Sequence, residues 1–407
     1  MKAKEFVDSL LKGYEETAEL EDFKKELQSN IEAKVESLVR DGMDEGAAFA
    51  KARSELGDVW ELAGSLFRKA GEESAENRES QERPAQGFTG VSMECQGSVA
   101  IHPGHAHRVV VTADGNLQEL VKTEVAGATL RISAEGVPMF KMIPWLIVRT
   151  PRIQNLQIDV YMPELRSVAV GGSGNVSVGS GSASSLGLRI SGSGNVRAES
   201  YEARDVAVKV SGSGNARVRA TDTLAVKLSG SGSVNAESCE TRNVAVEISS
   251  SGEVQARATE KLEVKISGSG SLSSEGCDAR EVKASIFGSG KVKARATESL
   301  EVKISGSGSV SAEGCEAREV KASIHGSGKV KARATESLEV KISGSGSVSA
   351  EDCETQNVDI EIAGSGEARA WASQALSARL SGSGNVYYKG GAALDLRSNG
   401  SGRVKRL

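Results

Sequence analysis

The stretch Leu338-Glu339-Val340-Lys341-Ile342-Ser343-Gly344-Ser345-Gly346-Ser347-Val348-Ser349-Ala350 decides the fold, because near copies of it recur from about residue 165 onward. Taking the first glycine of each copy as a marker gives Gly172, Gly192, Gly212, Gly230, a degenerate copy at Ser250, then Gly268, Gly288, Gly306, Gly326, Gly344, Gly364, Gly382 and Gly400. The steps are 18 or 20 residues. A unit so short cannot bury a core alone, so successive copies must stack. Six, four and two residues before the marker stand apolar side chains, as in Leu338, Val340 and Ile342; four and six residues after it stand Val348 and Ala350. Both segments have the period of two that marks a strand with one face buried. Two strands joined by a Gly-Ser-Gly bend, with no helical pattern between copies, predict a mainly β chain: a single-stranded parallel β-helix, a solenoid of 18–20-residue coils. The marker glycines, among them Gly268, Gly288, Gly306, Gly326, Gly344 and Gly382, are read as the structural turn, since a repeated sharp corner needs backbone that residues with a Cβ reach poorly. The last proline is Pro163, and a proline-free run is what a continuous inter-coil ladder requires.

The outward positions carry charge. Seven residues after each marker the order Glu199, Arg219, Glu237, Arg257, Glu275, Arg295, Glu313, Arg333, Glu351 alternates in sign, and five residues before it Glu263, Lys283, Glu301, Lys321 and Glu339 do the same. With coils stacked about 4.8 Å apart, each carboxylate should fall between two cations, a pattern that fixes register. A third column, Arg189, Lys209, Lys227, Lys265, Lys303, Lys341, Arg379 and Arg397, is mostly basic. It can attract an anionic polymer, with a solvated edge as the simpler reading.

Composition bounds the function classes. The 407 residues carry a net charge of −5. Residues 1–80 hold 12 basic against 20 acidic side chains, and neither part has the basic, aromatic-interleaved character of a nucleic-acid binder. The opening Met1-Lys2-Ala3-Lys4-Glu5-Phe6-Val7-Asp8 has no apolar leader, and Met142–Val148 is too short to span a bilayer. A cytoplasmic location is expected on those grounds, with surface or envelope association by a non-classical route as the alternative. Cys239, Cys277, Cys315 and Cys353 recur every 38 residues; two coils apart, at roughly 9 to 10 Å, they exceed the reach of a disulfide and read as free thiols.

Four regions are expected. Residues 1–70 form an all-α bundle: Leu20, Phe23, Leu27, Ile31, Val35 and Leu38 share one stripe, Asp41-Gly42 breaks it, a third helix starts near Asp44, and a fourth at Asp58 with Glu61 closing a capping box. Residues 71–87 are charged and apolar-poor, and read as a disordered linker. Residues 88–170 read as irregular N-terminal coils that cap the stack, and 171–407 as the regular β-helix.

Two stretches resemble known families. Lys4-Glu5-Phe6 with Leu10, the acidic second helix, and Asp41-Gly42-Met43-Asp44-Glu45-Gly46-Ala47-Ala48 leading to Leu56-Gly57-Asp58-Val59-Trp60-Glu61-Leu62-Ala63 resemble the bacterial HAAS signalling domain, which implies a sensing or partner-docking role for the bundle. Leu156–Met162, then Pro163–Val176 with its Gly-Ser-Gly-Asn-Val ending, repeated at Gly192–Val196 and Gly382–Val386, resembles the bacterial "putative auto-transporter adhesin, head GIN domain" family over roughly residues 88–407. That resemblance implies a β-helical, non-enzymatic, adhesin-like module; related adhesins include cell-envelope stress proteins.

The remaining chemistry is sparse. His102, His105 and His107 could ligate a transition metal, while Pro103-Gly104 between them reads more simply as a turn with exposed histidines. Gly288-Ser289-Gly290-Lys291 lacks the spacing of a phosphate loop, and the repeats lack the aspartate of a calcium-binding roll. Trp371 interrupts the charge column near Tyr387 and Tyr388, and the three read as a binding patch, or alternatively as an end cap. No catalytic residue and no cofactor is expected. The chain is read as a structural or interaction protein whose bundle docks a protein partner and whose β-helix presents a surface to an envelope ligand. A regulator of the envelope-stress response and a self-assembling scaffold are the alternatives.

Overall fold

The computed structural model describes residues 3–14, 16–56, 63, 78–134, 156–312 and 317–407. They fall into two compact units, one of Met1–Phe88, Glu94–Val99 and His107–Val160, the other of Thr89–Met93, Ala100–Ala106 and Tyr161–Leu407.

In the first unit the described helices are α1 (Ala3–Leu10), α2 (Ala18–Arg40) and α3 (Glu45–Ser54). Thr17 caps α2 by accepting from the Leu20 amide, and Asp44 caps α3 by accepting from the amides of Gly46 and Ala47, the orphan donors that open a helix. Leu20, Phe23, Leu27 and Ile31 on α2 pack with Phe6, Val7 and Leu11 in one apolar cluster. The expected fourth helix, with its Asp58–Glu61 capping box, lies outside the described residues, as do Phe140 and Trp145. The three helices form a small bundle, which is coarser than the signalling domain that the resemblance implied.

Residues Arg78–Arg83, read from composition as linker, form a strand antiparallel to Arg108–Asp114. All six side chains are exposed or half-buried, so no apolar alternation announces it. The strand is held instead by the main-chain ladder, by Ser80–Thr112 at 2.8 Å and by Arg108–Glu82 at 3.1 Å. Gln118 is buried beside it and donates its amide to the carbonyls of Glu79 and Val111. Replacing Gln118 by alanine removes a side-chain donor from both carbonyls, and is expected to cost about 1–3 kcal/mol. Amide hydrogen exchange of Arg78–Arg83 should quicken; unchanged exchange would show that the ladder suffices alone.

The second unit is a parallel β-solenoid of about 12 turns. Gly90–Met93 pairs in parallel with Ser167–Val170, which pairs with Gly187–Ile190, and the ladder continues coil upon coil to Ala393–Gly400. The core is a set of columns one residue wide. In a representative coil Leu338, Val340, Ile342, Val348 and Ala350 are each 1 % exposed. Gly346, between them, turns the chain where a Cβ would stand 2.6 Å from Ile324 Cγ2 of the coil below. A further inward column comes from a short third segment: Ala203 pairs with Ala220, Thr241 with Ala258, Ala279 with Ala296, Ala317 with Ala334 and Thr355 with Ala372. Where that column carries threonine the buried hydroxyl donates to the previous coil, Thr241 to Ala220 O at 2.9 Å and Thr355 to Ala334 O at 2.7 Å.

The difference between 18- and 20-residue coils is absorbed at this third segment. Register runs without a break through the Gly-Ser-Gly corner, yet slips between Ala350↔Ala370 and Glu354↔Trp371, so Glu351-Asp352-Cys353 face no residue of the next coil. The same slip occurs between Ala198 and Glu202 and between Ser274 and Asp278. Longer coils therefore bulge there.

Candidate binding surface

The Gly-Ser-Gly corner is built twice over. At Gly288, Gly306, Gly326, Gly344 and Gly382 the backbone has φ between +120° and +131°, which side chains with a Cβ rarely adopt. Gly268 does not have a positive φ; there a Cβ would lie 2.7 Å from Ser250 O of the preceding coil. Close approach to the preceding coil requires glycine at all of them, and at the five with positive φ the backbone conformation requires it as well.

On the outer face of the segment before the corner, the column Glu263–Lys283–Glu301–Lys321–Glu339 stacks in register as expected. The shortest ion pairs, however, run along each strand: Lys265–Glu263 at 3.0 Å, Lys303–Glu301 at 2.7 Å and Lys341–Glu339 at 2.6 Å. Hydrogen bonds from these lysines hold the three carboxyls below the usual range. The alternating column after the corner is a correction. Glu199 and Glu351 sit in the bulge, and the register instead sets an acid three positions further on opposite the arginine of the next coil, Glu202 opposite Arg219 and Asp278 opposite Arg295, the latter two 3.5 Å apart. Trp371 takes the arginine's place and faces Glu354.

The same outer face in the earlier coils is open. Ser167, Gly187, Ala207, Ala225 and Ala245 stack in register and form the floor of a groove of about 620 Å³ that closes at Glu263. Its edge is the column Arg189–Lys209–Lys227–Glu247. Lys227 reaches Glu247 at 2.9 Å. Among the described residues Arg189 and Lys209 have no carboxylate partner. The face after the corner carries a second, polar groove of about 490 Å³ lined by Asn195, Arg197, Asn215, Arg217 and Asn235. There Asn215 donates to Asn195 at 2.9 Å and Asn195 to Asn175 at 2.8 Å, a ladder of amides one per coil.

His102 and His105 share one aromatic partner, and His107 has another. His102 stacks on Tyr161 with ring centroids 4.6 Å apart, and His105 meets the same ring edge-on at 5.8 Å. His107 Nε2 lies 2.8 Å from Phe88 O. Among the described residues no three His, Cys, Asp or Glu side chains are grouped to hold a metal ion. Tyr388 points into the core at 9 % exposure and cannot join a surface patch with Trp371, whose in-register neighbour is Lys389. Tyr387 instead lies under the Arg369 guanidinium at 5.4 Å. Cys95 and Cys353 are buried free thiols, and burial pushes the Cys95 thiol up to about 11. Cys353 lies within the bulge; Cys315 and the side chains of Cys239 and Cys277 lie outside the described residues.

Residues 87–277, 261–314, 272–349 and 312–392 match the model of the family described as "Putative auto-transporter adhesin, head GIN domain". No curated protein matches. Among solved structures, one described as a putative lipid binding protein from Parabacteroides distasonis is 20 % identical, with a TM-score of 0.34 over 82 % of this chain and 98 % of its own. A putative adhesin from Bacteroides fragilis is 13 % identical, with a TM-score of 0.27 over the same shares. A putative adhesin from Parabacteroides distasonis is 17 % identical, with a TM-score of 0.22 over 82 % of this chain and 98 % of its own.

Proposed function

The chain belongs to the putative auto-transporter adhesin, head GIN domain family, and from that premise we propose that it is a non-enzymatic, adhesin-like protein whose solenoid displays a binding surface outside the cytoplasm. Membership corrects the cytoplasmic expectation: the family's description is that of surface or envelope proteins. The observation that supports the binding role is the outward columns. Each coil repeats the same backbone, so a side chain at one position is copied at a fixed spacing of about 4.8 Å along the stack, and a long ligand can meet many identical contacts. That geometry suits adhesion better than catalysis, which needs unlike groups converging on one point. The helical bundle is read, in the same proposal, as the part that docks a protein partner, supported by the acidic composition of residues 1–80 and the signalling-domain resemblance.

Protease treatment of intact and of lysed cells, with blotting of the solenoid, tests this reading. Cleavage in intact cells is the expected result. Protection until lysis would sink surface display.

A further inference from the structure

The charge pattern along the solenoid changes character near Glu263. From Lys265 to Glu361 the column three residues before the marker reads Lys265, Ser285, Lys303, Ser323, Lys341, Glu361, with no two cations adjacent. In the earlier coils Arg189, Lys209 and Lys227 stand on three successive rungs. Like charges directly opposite on neighbouring strands destabilise a sheet. Where two cations are adjacent elsewhere in this column, each has its own acid: Arg379–Asp359 at 3.3 Å and Arg397–Asp395 at 3.5 Å. Only Lys227 has one in the early ladder. The same coils lack the glutamates that fill the outer face later, and so leave the groove of about 620 Å³ beside the cations.

We propose that this groove binds a linear acidic polysaccharide that runs along the stack, with a carboxylate of the sugar chain beside each of Arg189, Lys209 and Lys227. The five floor rungs from Ser167 to Ala245 span about 19 Å at the strand spacing, and the three cationic rungs within them span about 10 Å, room for a short run of sugar units with one acid on each cationic rung. Other anionic chains fit less well. A single-stranded nucleic acid gains affinity by stacking bases on aromatic rings, and the groove is lined by none. An extended peptide docks on a sheet edge, whereas these rungs lie inside the sheet with both neighbours paired. A membrane surface calls for large apolar side chains to insert, and the floor offers only Ser, Gly and Ala. The assignment rests on the reading of the solenoid as a binding surface, but it is tested on the purified full chain without regard to location.

Binding of polygalacturonate should be measured at low salt, beside neutral dextran and poly-glutamate. Polygalacturonate should bind, and bind more weakly as salt screens the exposed cations. Lys209→Glu should weaken it by about tenfold or more, the scale expected of a reversed interfacial charge. Ala225→Glu should do the same by filling the floor, and it should fold, because Glu263, Glu301 and Glu339 occupy that column in later coils. Arg197→Glu, on the other face, should leave binding unchanged. The proposal is overturned if polygalacturonate does not bind, if dextran or poly-glutamate binds as well, or if Arg197→Glu is as damaging as Lys209→Glu. Protection of the solenoid in intact cells together with these results would remove the surface role and leave the binding site standing.

Discussion

Replacing Tyr201 by alanine is expected to destabilise the early coils by about 4 kcal/mol, the scale of a large aromatic removed from a packed core. Tyr201 is fully buried and is the largest fully buried side chain among the described residues. Its ring lies against the Gly181 backbone, where a Cβ would come within 2.8 Å of Tyr201 Cε2 and 3.1 Å of Pro103 Cβ. Its hydroxyl donates to Leu165 O at 3.0 Å and accepts from Leu165 N at 3.4 Å, and burial raises the phenol above its ordinary range. The conservative Tyr201→Phe keeps the packing and removes only the hydroxyl, so a smaller loss of about 1–2 kcal/mol should follow. Thermal unfolding and hydrogen exchange at residues 165–210 would read both. Equal losses for the two variants would mean that the hydrogen bonds, and not the ring, hold this part of the core.

Gly344→Ala should have a comparable effect, about 3 kcal/mol or more, by a different route. At Gly344 φ is +127°, and an added Cβ would lie 2.6 Å from Gly326 O of the coil below. That oxygen already accepts from the Ser345 amide at 2.9 Å, so it cannot retreat without breaking a rung. Because each coil touches chiefly its neighbours, the damage should be local: amides of residues 326–364 should exchange faster while those of residues 190–230 keep their protection. A uniform rise in exchange along the whole solenoid would show that it unfolds as one cooperative body. Alanine at Gly391, where a Cβ meets nothing within 4 Å, serves as the neutral comparison.

The coil and its core were legible because a period of two repeats at a fixed offset from each glycine; Leu338, Val340 and Ile342 could be placed on the inner face from spacing alone. The bulge was not. Counting from the marker places Glu351 and its counterparts on one column with the following arginines, but register is set by backbone pairing, and the two extra residues of a 20-residue coil leave the column before it closes. The third inward column, Ala203 to Ala372, escaped for the same reason: its residues hold different offsets in long and short coils. The strand Arg78–Arg83 was hidden because it buries no side chain. Of the surface, the basic column was visible, whereas the groove needed the structure. Gly187, Ala207 and Ala225 look like ordinary small residues until the rungs are superposed and seen to lack the glutamates of later coils. Tyr388 was misplaced for want of one step of parity, since it lies six residues past its marker, on the inner face.

The alternation of long and short coils also sets the step in which the gene can grow. Residues 280–317 and 318–355 differ only at Phe287/His325, Gly314/Asp352 and Ala317/Thr355, so one tandem copy carries one long and one short coil. Adding or deleting a whole copy returns every bulge and every charged column to phase. Losing a single coil would set Glu301 against a glutamate and bulge against bulge. Recombination between near-identical neighbours can therefore lengthen or shorten the displayed surface in pairs of coils without a compensating change elsewhere, and strains carrying different numbers of pairs should all fold.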